Sequence, residues 1–532
     1  MAVGTWTPLA DPAPGPVNGL LLLSDGTVMA AGNDGFTISN VWYRLTPDGT
    51  GGYVNGNWST RKAMNDTRLY YSTEVLRDGR VFVAGGEYGT GGKTAEIYNP
   101  VNNTWTYTAS SGAGYGDSQS EMLPDGRVLE SLVGWVPYPQ WETLIYDPVA
   151  DSWSQAGSSL TYQDEATWVK LPDNSILTID PYNDSGGTNS ERFIPPPSPD
   201  AWINDAHPPV SLINGYTETG PGFLVPDGRA FFLGGTGQTV FYTPSGSTNK
   251  GTWARGHDIP NGMVMDDAPG AMMFNGKILC AVSQPMTSPT TWVPSTFFYE
   301  FDPSSDSFNT NAPSPTGGSS DNVATFGTMM LDLPDGTILY SHFGTDLYVY
   351  HPDNTPLPAG KPAINSVSWN TDGSLHLTGT GFNGISEGAA YGDDFQPHSN
   401  YPLVRFVSGG SVYYGRTFNW SSTGVMTGAS VVSTECTLPP TLPPGNFSLV
   451  VVANGIASDP MSFSGPVWVD FNYTGFQNGS YQNPYNTLAQ GVSAVPSGGR
   501  IIIKTAGSSS ETMTISTPMT ITAVGGAATI GH

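Results

Sequence analysis

Acidic side chains recur at one offset in this chain. Counting back eight or nine residues from a repeated turn gives Tyr70 before Asp78, with Arg68 two residues further back, Asp117 before Asp125, and Asp164 with Glu165 before Asp173. The same count gives Glu218 before Asp227 and Asp266 with Asp267 before Asn275. If the repeats stand around an axis, four consecutive ones aim carboxylates at a single funnel. Crowded carboxylates raise one another's pKa unless a cation or arginine sits among them. Three chemistries stay open. A hard divalent cation such as calcium takes oxygen ligands of this kind, here Asp117, Glu165, Glu218 and Asp267. A carboxylate pair, Asp117 and Glu165, could serve as acid and base on a glycan, with Tyr70 as proton donor, Arg68 as anion clamp, and Tyr71, Glu218 and Asp267 holding the ligand. In the third reading the acids accept hydrogen bonds from strand-end amides and line a hydrated channel.

The elements that must position these residues are short strands. A turn followed by an apolar strand recurs as SDGTVMAAG, RDGRVFVAGG, PDGRVLESL, PDNSILTID, PDGRAFFLGG, FNGKILCAV and PDGTILYSH, seven copies at intervals of 47 to 60 residues. Asp-Gly and Asn-Gly supply the positive φ angles of a tight hairpin. An aromatic-X-Pro step then leads to a second aromatic residue, in the series Trp6, Trp58, Trp105, Trp153, Trp202, Trp253 and Phe308. Apolar strands, Gly-Gly steps and an aromatic at a period near 50 are the pattern of kelch propeller blades. The seventh turn has no aromatic after it, and Trp6 has no turn before it, so the N-terminal strand is expected to complete the last blade. The tryptophans read as packing between blades.

The fold class is therefore all-β: a seven-bladed kelch propeller over residues 1–360, then an immunoglobulin-like β-sandwich over 361–465, where the period gives way to alternating strands. Residues 466–532 carry one short amphipathic helix, 484–495, and strand pulses that resemble the start of a pectin-lyase-like parallel β-helix.

Composition narrows the partners. With 19 basic against 45 acidic residues the net charge is −26, a surface that repels phosphate backbones and anionic lipid, so nucleic acid and membrane insertion are excluded as partners. No apolar run approaches the length of a membrane helix. Sparse charge with abundant Asn, Ser, Thr and Tyr suits a mature secreted protein, and carbohydrate or extracellular polysaccharide is the expected partner. Cys280 and Cys436 are the two cysteines, and Cys280 reads as a buried small hydrophobe. His207, His257, His342 and His351 lack metal-ligand spacing and read as turn or surface residues.

Residues 1–465 resemble the galactose oxidase and glyoxal oxidase group, most specifically in TRLYYSTEVLRDGRVFVAGGEYGTGGKTAEIYNPVNNTWT and AAYGDDFQPHSNYPLVRF. The resemblance implies one copper held by two tyrosines and two histidines, one tyrosine being cross-linked to a cysteine. Tyr70 falls where the cross-linked tyrosine is expected. The matching cysteine position holds Pro16, the Tyr-His pair is replaced by Phe326 and Gly327, and the remaining histidine falls at Gln396, with His398 nearby. Copper(II) needs several nitrogen and oxygen donors in a tetragonal array, so copper is not expected. Asp393 and Asp394 of YGDDFQPH are candidate cation ligands or part of a loop that contacts the propeller. The expected function is carbohydrate binding without a copper-radical centre. A carbohydrate-active hydrolase or lyase using the acidic funnel is the alternative, and a copper-radical oxidase the second.

Overall fold

The computed structural model describes residues 3–32, 38–134, 141–182, 188–195, 201–215, 219–288, 291–353, 355–392 and 394–531. Seven antiparallel sheets follow one another over residues 17–60, 72–107, 120–158, 168–204, 222–255, 270–312 and 329–351. In each, the recurrent turn joins the first strand to the second, as in Ser72–Val75 paired with Val81–Ala84. The turn geometry follows from its residues. The glycine after each turn Asp or Asn sits at positive φ (Gly26 74°, Gly79 81°, Gly126 89°, Gly228 87°, Gly276 84°, Gly336 88°), and Asn174 at 65° takes that place in the fourth copy. The preceding Asp or Asn side chain accepts the N–H two residues on, as Asp78 Oδ1 does from Arg80 at 3.0 Å. This local bond favours the turn without help from tertiary contacts.

The first strands of neighbouring blades stand side by side around a central channel. The ring closes as the sequence implies: Thr5–Pro8 pairs with Tyr348–His351, so that Trp6 faces Tyr350. Closure gives the seventh blade its outermost strand, so that it has four strands like its neighbours. The blade aromatics are scaffold. Trp6 meets Phe298, Tyr340 and Tyr350 at 5.1, 5.4 and 4.8 Å. The indole N–H groups of Trp105, Trp153 and Trp253 donate to the carbonyls of Lys62, Ala109 and Ala206 at 2.8–2.9 Å, tying each blade to the connector before it.

Residues 363–465 form one antiparallel sheet that curls around a core of Leu375, Leu377, Phe406, Leu449 and Phe463. It docks on the turn end of the propeller. Arg416 Nη1 donates to Asp78 O at 3.2 Å, and Thr417 N to Ser24 O at 3.1 Å. Gly26 lies against the Tyr414 ring, where a Cβ would sit 2.6 Å away. From this sheet, residues 383–402 rise into the channel. Ala389–Ala390 adds to the first strand of the sixth blade, and Gln396 accepts from Thr73 N at 2.9 Å and Ser120 Oγ at 3.0 Å. The contact between this loop and the propeller is thus extensive. Beyond it, Val467–Val469, Arg500–Ile503 and Thr520–Ala523 make a parallel ladder, flanked by a helix over Leu488–Ala494 whose Thr487 cap accepts from Gln490 N. Both cysteines are buried free thiols.

Candidate functional site at the channel mouth

The mouth is built from the residues just upstream of each inner strand. Tyr70, Glu165 and Asp267 occupy the same register position in their blades and share left-handed backbone, φ 53°, 59° and 41°. For residues with a Cβ this conformation costs about 1–2 kcal/mol each. Such costs persist where the surroundings over-determine them, commonly at ligand sites. Here they are over-determined by backbone bonds within and between blades. Within the second blade Glu87 N donates to Tyr70 O at 3.0 Å, and between the sixth and fifth Asp267 N donates to Thr219 O at 3.1 Å. Thr219 Oγ1 donates to Glu165 O at 2.7 Å, and Thr325 Oγ1 to Asp266 O at 3.1 Å.

These constraints bring acids together. Oxygens of Asp117, Asp164 and Glu165 lie within 4.8 Å of one another. Asp117 is nearly buried, whereas the other two are half-exposed. Asp164 accepts from Tyr182 Oη at 2.9 Å. Tyr70 stands in the same field: its hydroxyl is held far above the ordinary phenol value by burial first, and then by the charges of Asp394, Asp267, Asp117 and Glu87. Burial and the Asp164 charge push Tyr162 up to about 12. Both phenols therefore stay protonated at neutral pH and are available as hydrogen-bond donors. Asp394, from the tip of the inserted segment, is 4% exposed and forms part of the floor.

Three sequence expectations are corrected. Arg68 is no anion clamp: its guanidinium is buried and consumed by Gly85 O, Gly91 O, Thr94 O, Thr94 Oγ1 and Glu96 Oε1 at 2.6–3.0 Å. It braces the loop that carries Glu87 and Tyr88. Tyr71 points into the hydrophobic core against Phe395, ring centroids 5.5 Å apart, because it alternates with Tyr70 across the strand entry. Asp266 is buried, and both of its oxygens accept from Asn214 Nδ2 at 2.8–2.9 Å. Glu218 and Asp393 lie outside the described residues. Asp117, Glu165, Asp267 and Tyr70 do converge.

Aromatic rings on the rim were missed. Tyr88, 49% exposed, meets Tyr70 edge-on at 6.2 Å, and Tyr162 meets Tyr182 at 5.4 Å. Trp292, Phe326 and Phe343 form a chain at 4.8 and 5.6 Å, anchored to the inserted segment by Tyr391 Oη donating to Phe326 O at 2.8 Å. Only Phe326 had a sequence signal, the shared offset before Asp335. Tyr88, Tyr182, Trp292 and Phe343 come from loops between second and third strands, and Tyr162 from the connector before the fourth blade, segments that carry no repeat.

The donors a copper-tyrosyl centre requires do not fit this mouth. A Cβ on Gly327 would lie 1.8 Å from the Phe343 ring, so an aromatic fills the space a ligand side chain would need. Cys280 and Cys436 are buried in separate cores, their thiols pushed up by burial. His398 lies among Glu74 and Glu121 instead of joining the mouth acids.

Seven such blades, closed by the N-terminal strand and penetrated by a segment of the following sheet, define a kelch-type propeller of galactose-oxidase-like fold. The Kelch motif matches residues 75–112, within the second blade and the connector after it. Among solved structures the chain is similar to a fungal alcohol oxidase with catalytic diversity among the AA5 family, in complex with copper. The two are 14% identical over 87% of this chain and 99% of that one, with a TM-score of 0.52. At that identity the likeness is one of fold. No curated protein matches.

Proposed function

We propose that this is a secreted carbohydrate-binding protein that receives a neutral sugar at the channel mouth, without a copper-radical centre. The observation that carries the reading is the joint presence, on one rim, of clustered carboxylates and aromatic rings: Asp117, Asp164 and Glu165 beside the part-buried Tyr70 and Tyr162 and the exposed Tyr88 and Tyr182. Carboxylates accept from sugar hydroxyls, protonated phenols donate to them, and ring faces cover the apolar C–H side of a pyranose. The net charge of −26 favours a neutral glycan over an anionic one.

The test is calorimetric titration of the full chain with neutral galactose- and glucose-based oligosaccharides chosen from a glycan array. The double variant Asp117→Asn/Glu165→Gln should bind at least tenfold more weakly, about 1.4 kcal/mol. No binding across the array, or binding untouched by the double variant, would overturn the reading. Release of reducing ends would move it to the hydrolase alternative. Peroxide formed from primary alcohols by copper-loaded protein would restore the oxidase.

A further inference from the structure

The propeller and the following sheet leave a cleft between them at the turn end, away from the mouth. Its volume is about 490 Å³, within the range of small-ligand sites. One wall is the strand Ser411–Phe418, which contributes Val412, Tyr413, Tyr414 and Arg416. The facing wall is the first-blade segment 46–49, with Pro100 and Val101 from the tip of the second blade. Hydrogen bonds fix the walls against each other: Val412 N donates to Gly49 O at 2.9 Å, and Tyr414 Oη to Gly51 O at 3.3 Å. At one end Pro440 O accepts from Gln482 N at 2.9 Å. The cleft is therefore preformed.

The acids of the cleft already have partners. Asp25 pairs with Arg44 and accepts from Thr27 N and Thr27 Oγ1 at 3.1 and 2.6 Å. Asp48 Oδ1 accepts from its own loop, from Thr50 N, Thr50 Oγ1 and Gly52 N at 2.7, 2.6 and 3.3 Å. Arg416 has no carboxylate partner among the described residues. Its Nη1 donates to Asp78 O at 3.2 Å, and the guanidinium lies 4.6 Å from the Phe418 ring centroid. Asp78 itself pairs with Arg80 at 2.7 Å. Burial lowers the Arg416 pKa below the usual arginine value, and the charges of Asp25 and Asp78 offset only part of that. A guanidinium short of both water and countercharge suits an anion, and its planar fork matches a carboxylate. The exposed hydroxyls of Thr46, Thr437 and Thr441 add donors along the same cleft.

We propose that this cleft binds a uronate-containing oligosaccharide, with its carboxylate on Arg416 and a sugar ring against Tyr413 and Pro439. The wall favours a sugar over a peptide. Tyr413, half-buried and edge-on to Phe447 at 6.0 Å, and Pro439 give apolar surface between hydroxyl donors, which suits a pyranose. Val412 N, which a peptide strand added to this wall would need, is occupied by Gly49 O. The net charge of −26 opposes anions at long range, but physiological salt shortens that reach to about 8 Å, so affinity rests on direct contact with Arg416. The site shares no residue with the mouth and stands or falls independently of sugar binding there.

The experiment titrates the full chain calorimetrically at about 0.15 M salt with galacturonate and glucuronate trisaccharides, their neutral galactose and glucose counterparts, and a tetraglutamate peptide. At least one acidic trisaccharide should bind, with the same affinity in wild type and in Asp117→Asn/Glu165→Gln. In that double variant it should bind at least tenfold more tightly than its neutral counterpart. Arg416→Gln should weaken acidic binding at least tenfold, the loss expected for a charge-assisted contact. Val101→Glu, at a rim position 70% exposed, adds a like charge and should weaken it at least threefold. Arg416 also holds the sheet to Asp78, so if Arg416→Gln does not fold, the Val101→Glu arm decides. No binding of either acidic trisaccharide up to about 10 mM, or unchanged affinity in the deciding variant, overturns the proposal. Loss of acidic binding in the mouth double variant overturns it by moving the carboxylate to the mouth. Equal binding of the neutral counterpart in that variant, or of the peptide, overturns the assignment to a uronate.

Discussion

Asp180→Asn should flatten the pH dependence of stability. Asp180 ends the second strand of the fourth blade, and Glu191 faces it from the third strand, fully buried. Both Glu191 oxygens accept hydrogen bonds, Oε2 from Leu160 N at 2.7 Å and Oε1 from Gln163 Nε2 at 2.9 Å. Two buried carboxyls this close cannot both ionise, so the pair retains a proton. Burial, and next the charge of Asp180, push Glu191 up to about 10. The folded value is raised above the unfolded one near 4.5, so the folded chain binds a proton that the unfolded chain has released. That contribution is fully present below pH 4.5, is lost as pH rises, and is gone near pH 10. Each such proton tilts stability by about 1.4 kcal/mol per pH unit, or about 4 kcal/mol between pH 5.5 and 8.5. An asparagine replaces the shared proton with a permanent N–H donor and leaves Glu191 ionised among donors. The assay is urea unfolding of wild type and variant across that range. Glu130 and Asp332, both held protonated by burial, tilt the two proteins alike, so the difference isolates the pair. A difference that stays constant within about 0.5 kcal/mol from pH 5.5 to 8.5 would refute the shared proton. The pair also anchors residues 160–163, immediately before Asp164 and Glu165, so the variant reports whether that anchor sets sugar affinity.

Lys170→Met should destabilise the chain by about 3–5 kcal/mol, since it strands Glu121 and Glu387 as uncompensated buried charges; calorimetric unfolding reads this, and a loss under 1 kcal/mol contradicts it. Trp6→Ala should cost about 3–5 kcal/mol and loosen ring closure, because the indole is packed on three rings and donates to Pro313 O at 2.7 Å; hydrogen exchange should rise first in the seventh blade. Tyr70→Gly removes the left-handed strain of about 1–2 kcal/mol along with the ring contact to Tyr88, so stability should hold within about 1 kcal/mol. Sugar affinity should fall at least tenfold in the same variant, and unchanged affinity would remove Tyr70 from the site.

Periodic features were legible in the sequence and aperiodic ones were not. The Asp-Gly turns specify each inner hairpin through bonds made within three or four residues, so counting them returned seven blades, and Trp6 without a turn returned the closing strand. The same counting placed Tyr70, Asp117, Glu165 and Asp267 at one mouth, because a position repeated in every blade maps onto a ring. It failed for Arg68 and Tyr71 because direction, not register, decides their roles. Arg68 finds carbonyls of residues 85–94 in its own blade, and Tyr71 lies on the opposite face of the chain from Tyr70. Nothing local marks Tyr88, Tyr182 or Trp292, which reach the rim on loops of unequal length.

The inserted segment shows why the mouth holds acids and still folds. A channel lined by Glu74, Glu121 and Asp332 would be a column of buried carboxyls if left hollow. Residues 383–402 fill it with complementary groups: Gln396 bridges Thr73 and Ser120, and Glu387 Oε2 accepts from Lys170 N at 2.9 Å. Their tip reaches the top of the channel, where Asp394 adds its charge to those around Tyr70. The residues that close the channel thus form the floor of the mouth. A substitution that loosens the segment from below, such as Lys170→Met, should weaken sugar binding as well as stability, although Lys170 touches no ligand.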